Sequence, residues 1–207
     1  MSAAAVEHPY DSERNELLRA AKRISEQLPG HRVEILEGNI SVSPPADGPH
    51  ADALTTLMLP FLAAGLHGSE SRVLQATGVW LPTGPADYAI PDLAVVDADY
   101  RDHEVESSCY EPACFRLVVE VTSSNHSNDL KTKVRTYAQA KIPVYVIVDR
   151  KNGRVHLLTD PIGDGYDHHT LYAPAQQLTL PDSIGAKVTL DAGELLEAGG
   201  CPADGTG

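Results

Sequence analysis

Helical and extended spacing alternate along the chain. In "DSERNELLRAAKRISEQ", Leu17, Leu18, Ala21 and Ile24 recur at helical intervals, which predicts a helix over residues 11–27. Asp11 or Ser12 can cap it, and Pro29-Gly30 stops it. In "RVEILEGNISVS", Val33 and Ile35, then Ile40 and Val42, alternate with polar neighbours on either side of "EGN", the pattern of a hairpin. "HADALTTLMLPFLAAGLH" returns to helical spacing, with Leu54, Leu57, Met58, Phe61 and Leu62 on one side. Pro60 lacks the backbone donor a helix needs and can bend it.

From Val73 onward extended patterns dominate. "VLQATGVWLP", "DLAVVDA", "FRLVVEVT" and "VYVIVDR" are Val-, Leu- or Ile-rich and bounded by Pro, Gly or Asp. A helix over about residues 129–140 separates the last two, so strand, helix and strand follow one another. That order favours a right-handed crossover and local parallel pairing. Asn152-Gly153 between two apolar runs predicts a hairpin, and "GYDHHTLY" a further strand. The expected fold class is α/β: a mixed central β-sheet with helices against it. Residues 1–10 read as a loose terminus and residues 197–207 as a flexible tail, leaving 11–196 as one domain.

The composition allows an ordinary core, with 42% hydrophobic residues over 207 positions. No apolar run is long enough to span a bilayer, and the N-terminus lacks the basic-then-apolar pattern of a signal peptide, so a cytoplasmic protein is expected. Cys109, Cys114 and Cys201 are odd in number and irregularly spaced, which argues for plain thiols over a disulfide framework or half of a zinc site. A net charge of −13 makes a poor surface for a polyanion. A nucleic-acid partner would then call for a divalent metal or a local basic patch. Lys131, Lys133, Arg135, Lys141, Arg150, Lys151 and Arg154 cluster in sequence and could form one.

The chemistry lies where acids interrupt apolar runs. Asp92 follows Pro91 at the mouth of "AIPDLAVVD", and Glu120 sits inside "RLVVEVT". Strand alternation puts Glu120 on the face of Val118 and Thr122. An isolated ionised carboxylate there is costly and must neutralise or pair. A hard divalent cation solves the problem: Asp92, Glu120 and the Val121 carbonyl would make a Mg²⁺ or Mn²⁺ site. On the following helix, Leu130, Val134, Tyr137 and Ala138 form a buried stripe, with Asp129 as N-cap. Lys133 borders that stripe, while Lys131 and Arg135 lie nearer solvent. Lys133 is thus the lysine placed to lean over Glu120 and to orient a water or stabilise a negative transition state. Two acids and a lysine at a sheet edge suit phosphodiester cleavage, with the metal lowering the pKa of bound water.

"IPDLAVVD", "LVVEVTSS" and "DLKTKVRTYAQAKIPVYVIVD", preceded by "VEILEGNISVSPPADGPHADAL", resemble the Uma family of "putative restriction endonucleases" within the PD-(D/E)XK nuclease superfamily. The resemblance covers about residues 33–172 and rests on the order and spacing of motifs that are individually weak. It implies a restriction-endonuclease-like core, Asp92 as the PD acid and Glu120 as the (D/E) acid. In the superfamily motif the lysine sits two residues after that acid, where this chain has Thr122. The family pattern places it on the next helix, where Lys133 stands. The implied activity is a Mg²⁺-dependent endodeoxyribonuclease acting on DNA, with a homodimer expected for double-strand cutting. A nuclease fold that no longer cuts and serves in binding or assembly is the alternative, and a hydrolase of small phosphoesters a third reading.

Each residue has a plainer reading. Glu120 could end a strand at the solvent edge, Asp92 could be a turn residue, and Lys133 a surface lysine. His50 reads as a helix-terminal structural histidine, or as a contact to substrate or metal. Glu34 and Glu37 flank the hairpin turn and read as solvated carboxylates, with an auxiliary acid as the alternative. Tyr137 reads as packing, and His156, His168 and His169 as strand surface. No phosphate-binding glycine loop and no serine nucleophile elbow occurs.

Overall fold

The computed structural model describes residues 9–123 and 128–201. The side chain of Asp11, residues 1–8 and 202–207 of the expected termini, and residues 124–127 of the loop before the Lys133 helix lie outside the described residues. Helix α1 (Pro9–Gln27) leads into a hairpin of β1 (Arg32–Leu36) and β2 (Asn39–Ser43). The turn places Glu37 at φ 51° and Gly38 at φ 73°, the left-handed pair that tight hairpins require. Helix α2 (Gly48–Ala63) follows, capped by Asp47, whose carboxylate accepts the His50 N–H at 2.8 Å. It runs through Pro60.

The run 73–82, expected as one strand, is two. β3 (Ser71–Gln75) and β4 (Gly78–Trp80) belong to different sheets, and the chain crosses between them at Ala76, which takes φ 49°. A Cβ on Gly78 would lie 2.5 Å from the Cys109 sulfur, so glycine permits the close approach of the neighbouring strand. β5 (Tyr88–Ala89), β6 (Leu93–Asp97), β7 (Glu104–Glu106), β8 (Cys109–Tyr110) and β9 (Phe115–Val121) come next. A π-helical turn over Asn128–Thr132 opens helix α3 (Lys133–Gln139). The chain continues through β10 (Val144–Asp149), β11 (Arg154–Ile162), β12 (Gly165–Tyr172), β13 (Gln177–Thr179), β14 (Thr189–Asp191) and helix α4 (Ala192–Ala198).

Among the described residues the strands form a mixed sheet of order β12-β11-β10-β9-β6-β3, a second six-stranded sheet of order β2-β1-β5-β4-β8-β7, and a two-stranded ribbon. The expected parallel pairing is present: β9 and β10 run side by side with Glu120 beside Ile147. β10 and β11 form the hairpin expected at Asn152-Gly153. β6 runs antiparallel to β9 with Leu93 opposite Val119, and continuing that register sets Asp92 opposite Glu120.

Alternation along β9 divides the core. Val119 and Val121 pack with Ala53, Leu57 and Phe61 of α2 and Leu195 and Leu196 of α4. Val118 faces the other way, toward Tyr137, Ala140 and the second sheet's Leu36 and Val79. Glu120 therefore lies on the face shared by α3 and the second sheet. Ala21 of α1 closes a smaller cluster over Val33, Ile35 and Ala86. Leu62, expected on the buried side of α2, is 42% exposed; the helix instead buries His50, Ala53, Leu57 and Phe61. Helix α4 carries the chain past Leu196, and the Cys201 thiol donates to the Arg150 carbonyl at 2.9 Å. Among the described residues no helix is long and apolar enough to cross a membrane.

Candidate active site

Asp92, Glu120 and Lys133 meet in one cleft, which Val121 and His50 also line. Asp92 is held from three sides. Its Oδ2 accepts the Val121 N–H at 2.7 Å and lies 3.1 Å from His50 Nε2, while Oδ1 pairs with the Arg32 guanidinium. Burial alone would raise this carboxyl. The hydrogen bond from His50, the Arg32 charge and the Val121 N–H more than offset it, holding Asp92 well below the usual carboxylate range. His50 reaches it because Asp47 fixes the first turn of α2. His50 Nδ1 remains buried without a hydrogen-bond partner.

Glu120 is 1% exposed. Its Oε1 accepts from Lys133 Nζ at 2.7 Å and from the Tyr137 hydroxyl at 2.9 Å, and its Oε2 lies 3.5 Å from Arg32. Burial pushes Glu120 well above its usual range; Asp92 and Asp129 push the same way, and Lys133 and Arg32 pull against them. Lys133 also contacts Glu34 Oε1 at 3.0 Å and Asp129 at 3.7 Å. Burial would lower the ammonium, but Glu120, Glu34 and Asp129 hold it far above its ordinary value. Lys133 is thus a fixed cation rather than a base at neutral pH.

Several expectations are corrected here. Glu34 is not solvated: it is buried, accepts the Ile90 N–H at 2.7 Å and pairs with Lys133. Glu37 does reach the surface, where it pairs with Arg135. Asp129 is no N-cap. The π turn draws it inward, buried beside Lys133, and its carbonyl accepts the Tyr145 hydroxyl at 2.9 Å. Tyr137 packs as expected and also bonds Glu120. His156 is buried, 3.0 Å from His169 and 3.5 Å from Asp149, whereas His168 and His169 are exposed. Of the basic run from Lys131 to Arg154, Lys133 is buried, Arg135 pairs with Glu37, and Arg150 grips Asp47 with two bonds of 3.1 Å, while Lys131, Lys141, Lys151 and Arg154 are exposed. Arg32 went unrecognised as a site residue, and Glu34 carried only the alternative reading of an auxiliary acid. Their alternation with Val33 and Ile35 put them on the polar face of a hairpin, and only the packing of the second sheet turns that face inward.

The donor set can be tested for a metal. Among the described residues no three His, Cys, Asp or Glu side chains cluster as a closed metal-binding group. Four carboxylates (Glu34, Asp92, Glu120, Asp129) share the cleft with two cations, Arg32 and Lys133. With all four ionised the set would carry 4 − 2 = 2 excess negative charges, which one divalent cation would balance; without an ion, burial favours the protonated form of Glu120. The cleft against these side chains is about 40 Å³, room for an ion or a water. Mg²⁺ binds through one or two carboxylates and keeps several waters; Asp92 Oδ1 and Glu120 Oε2, which face Arg32, are the oxygens such an ion would need.

A mixed sheet that brings two strand-borne acids and a helix lysine into one cleft defines a restriction-endonuclease-like α/β fold. A solved structure described as a putative nuclease of the DUF820 family from Anabaena variabilis is similar to this chain. It has a TM-score of 0.65 and 13% identity over 81% of this chain and 90% of that one. No curated protein matches the chain. The family model for Uma2, described as "Putative restriction endonuclease", matches residues 16–193, and the chain belongs to that family.

Proposed function

We propose that the protein is a metal-dependent endonuclease that hydrolyses phosphodiester bonds of DNA. The observation that carries this reading is the meeting of Asp92, Glu120 and Lys133, from a strand mouth, a strand interior and a helix, in one cleft. Family membership and the nuclease-like fold agree with it. Asp92, Glu120 and the Val121 carbonyl would hold Mg²⁺ or Mn²⁺, which supplies charge neutralisation and a water of lowered pKa. The chain's own groups do the rest. Val121 N–H and His50 orient Asp92. Tyr137 and Lys133 fix Oε1 of Glu120, which leaves Oε2 to face the cleft. Lys133, charged throughout, steadies the negative charge that grows as water attacks phosphorus and the ester oxygen departs with the bonding pair.

Plasmid nicking in Mg²⁺ or Mn²⁺ tests this. Wild type should cut, and Glu120→Ala should lose at least ~100-fold, the scale on which one electrostatic stabiliser matters. Equal nicking by the two proteins would assign the activity to a contaminant and end the reading. Lys133→Ala serves as a second control once circular dichroism shows that it folds, because it strips Glu34 of its ion-pair partner and leaves buried Glu120 only Arg32 at 3.5 Å. Double-strand cutting would call for a homodimer, which sedimentation checks.

One observation favours a binding or assembly module without cleavage. Arg32 already bridges Asp92 and Glu120, meeting part of their charge with no ion. That reading expects no binding of Mn²⁺ and no change in melting temperature with it.

A further inference from the structure

A second cleft lies beside the acid site, with Arg32 in the lining of both. It is about 780 Å³, within the ~300–1,000 Å³ of ordinary ligand sites, and lies between α1 and the second sheet. The Arg32 side chain thus borders each of the two cavities. The wider cleft carries two kinds of group. Arg19 and Lys22 of α1 are exposed along one side, with His31 at the hairpin's start. Trp80 and Tyr88 of the second sheet supply aromatic rings.

The charge here runs against the rest of the molecule. The cleft's lining holds three Lys or Arg (Arg19, Lys22, Arg32) against Glu26 and Glu106, 3 − 2 = +1, in a protein of net −13. Glu106 is paired with Arg14, which also lies 5.5 Å over the Trp80 ring. Among the described residues no ion pair engages Arg19, Lys22 or Arg23.

A basic groove with interleaved aromatics is the common design for single-stranded nucleic acid, because cations track the backbone while each base offers a face for stacking. A duplex would carry twice the charge past an acidic surface and keep its base faces hidden. We propose that this cleft binds a single-stranded stretch of DNA beside the bond to be cut. Bases would lie on Trp80 and Tyr88, and phosphates would run past Arg19 and Lys22 toward Arg32. The inference rests on the nuclease reading for its choice of DNA, and deepens it by naming an unpaired strand as the substrate.

Trp80 is the chain's single tryptophan, so its emission reports the cleft directly. Short oligonucleotides titrated in EDTA, where no cleavage can occur, should quench it. The single strand should bind about tenfold tighter than its duplex. Two phosphate contacts removed by Arg19→Glu with Lys22→Glu should lower the salt slope of log K by about 1.4, at ~0.7 per contact for single strands. Both residues are exposed and outside the catalytic groups, so the double variant should fold. Trp80→Phe keeps a ring and should retain affinity by anisotropy. Unchanged Trp80 emission, a preference for duplex, or an unaltered salt slope overturns the proposal. Equal or tighter binding of the matching RNA overturns the choice of DNA. Quenching by oligonucleotide, with both the plasmid and the single-stranded oligonucleotide left uncut in Mg²⁺, would sink the nuclease reading and leave the cleft standing; cutting without quenching would do the reverse.

Discussion

Arg32 is the residue whose position says most about how the site is used. Its guanidinium occupies the ground between Asp92 and Glu120 that a metal would take. Removing it raises the uncompensated charge of the cleft from two to three. Arg32→Gln should therefore bind Mn²⁺ about tenfold more tightly by calorimetry, about 1.4 kcal/mol, a modest share of one charge at close range. Weaker binding would show that Arg32 supports the acids rather than competing for them. Asp129 feels the same excess. Burial, with Asp92 and Glu34 nearby, moves its carboxyl from 3.8 to about 6 against the pull of Lys133 and Arg32. The folded value lies above the unfolded one, so folding favours the protonated form. The cost is absent below about pH 4, grows between 4 and 6, and is complete above 6, where two pKa units correspond to ~3 kcal/mol. Asp129→Asn should thus be more stable than wild type by ~1–3 kcal/mol at pH 8, allowing for the lost pull on Lys133, and nearly equal at pH 4 by urea unfolding. A less stable variant at pH 8 would mean that the Lys133 contact outweighs burial.

Individual elements show what spacing can and cannot reveal. The strands around Glu120 and the helix after it were legible because alternation and a helical stripe each depend on a few residues close in sequence. Lys133 was found that way, from Leu130, Val134 and Tyr137. The turn before it was not. A π turn adds a residue to the helical cycle, so Asp129, which reads as a cap, is drawn inward instead. In α2 the legible stripe was one residue too wide. Phe61 is fully buried among α2, α4 and the mixed sheet, whereas Leu62 points to water. Phe61→Ala should cost ~3–5 kcal/mol through transfer and cavity terms. Leu62→Gln should stay within ~0.5 kcal/mol. Denaturant midpoints distinguish them, and comparable losses would mean that Leu62 is covered in solution.

Across the whole molecule the site sits on a seam, which explains why half of it was hidden from the sequence. Asp92 and Glu120 come from the mixed sheet, and local patterns exposed them as acids in apolar runs. Arg32 and Glu34 come from the second sheet, whose strands span only two to five residues. Alternation in β1 shows that Arg32 and Glu34 share a polar face, but nothing local tells that this face turns inward. The seam also fixes how metal binding should register. Arg32 to Asp92 ties the second sheet to the mixed sheet directly, and Glu34 to Lys133 ties it through α3 and Glu120, so a cation that relieves the charge excess steadies both at once. Occupancy at 100 times its dissociation constant adds ~2.7 kcal/mol, and each kcal/mol raises the melting temperature of a chain this size by ~2–4 °C. Mn²⁺ should therefore shift the whole unfolding transition upward by ~5–10 °C as one step. Glu120→Gln and Asp92→Asn should each remove most of that shift. If wild type and both variants rise together, the ion binds elsewhere on this acidic surface, and the seam is held by Arg32 and Lys133 alone.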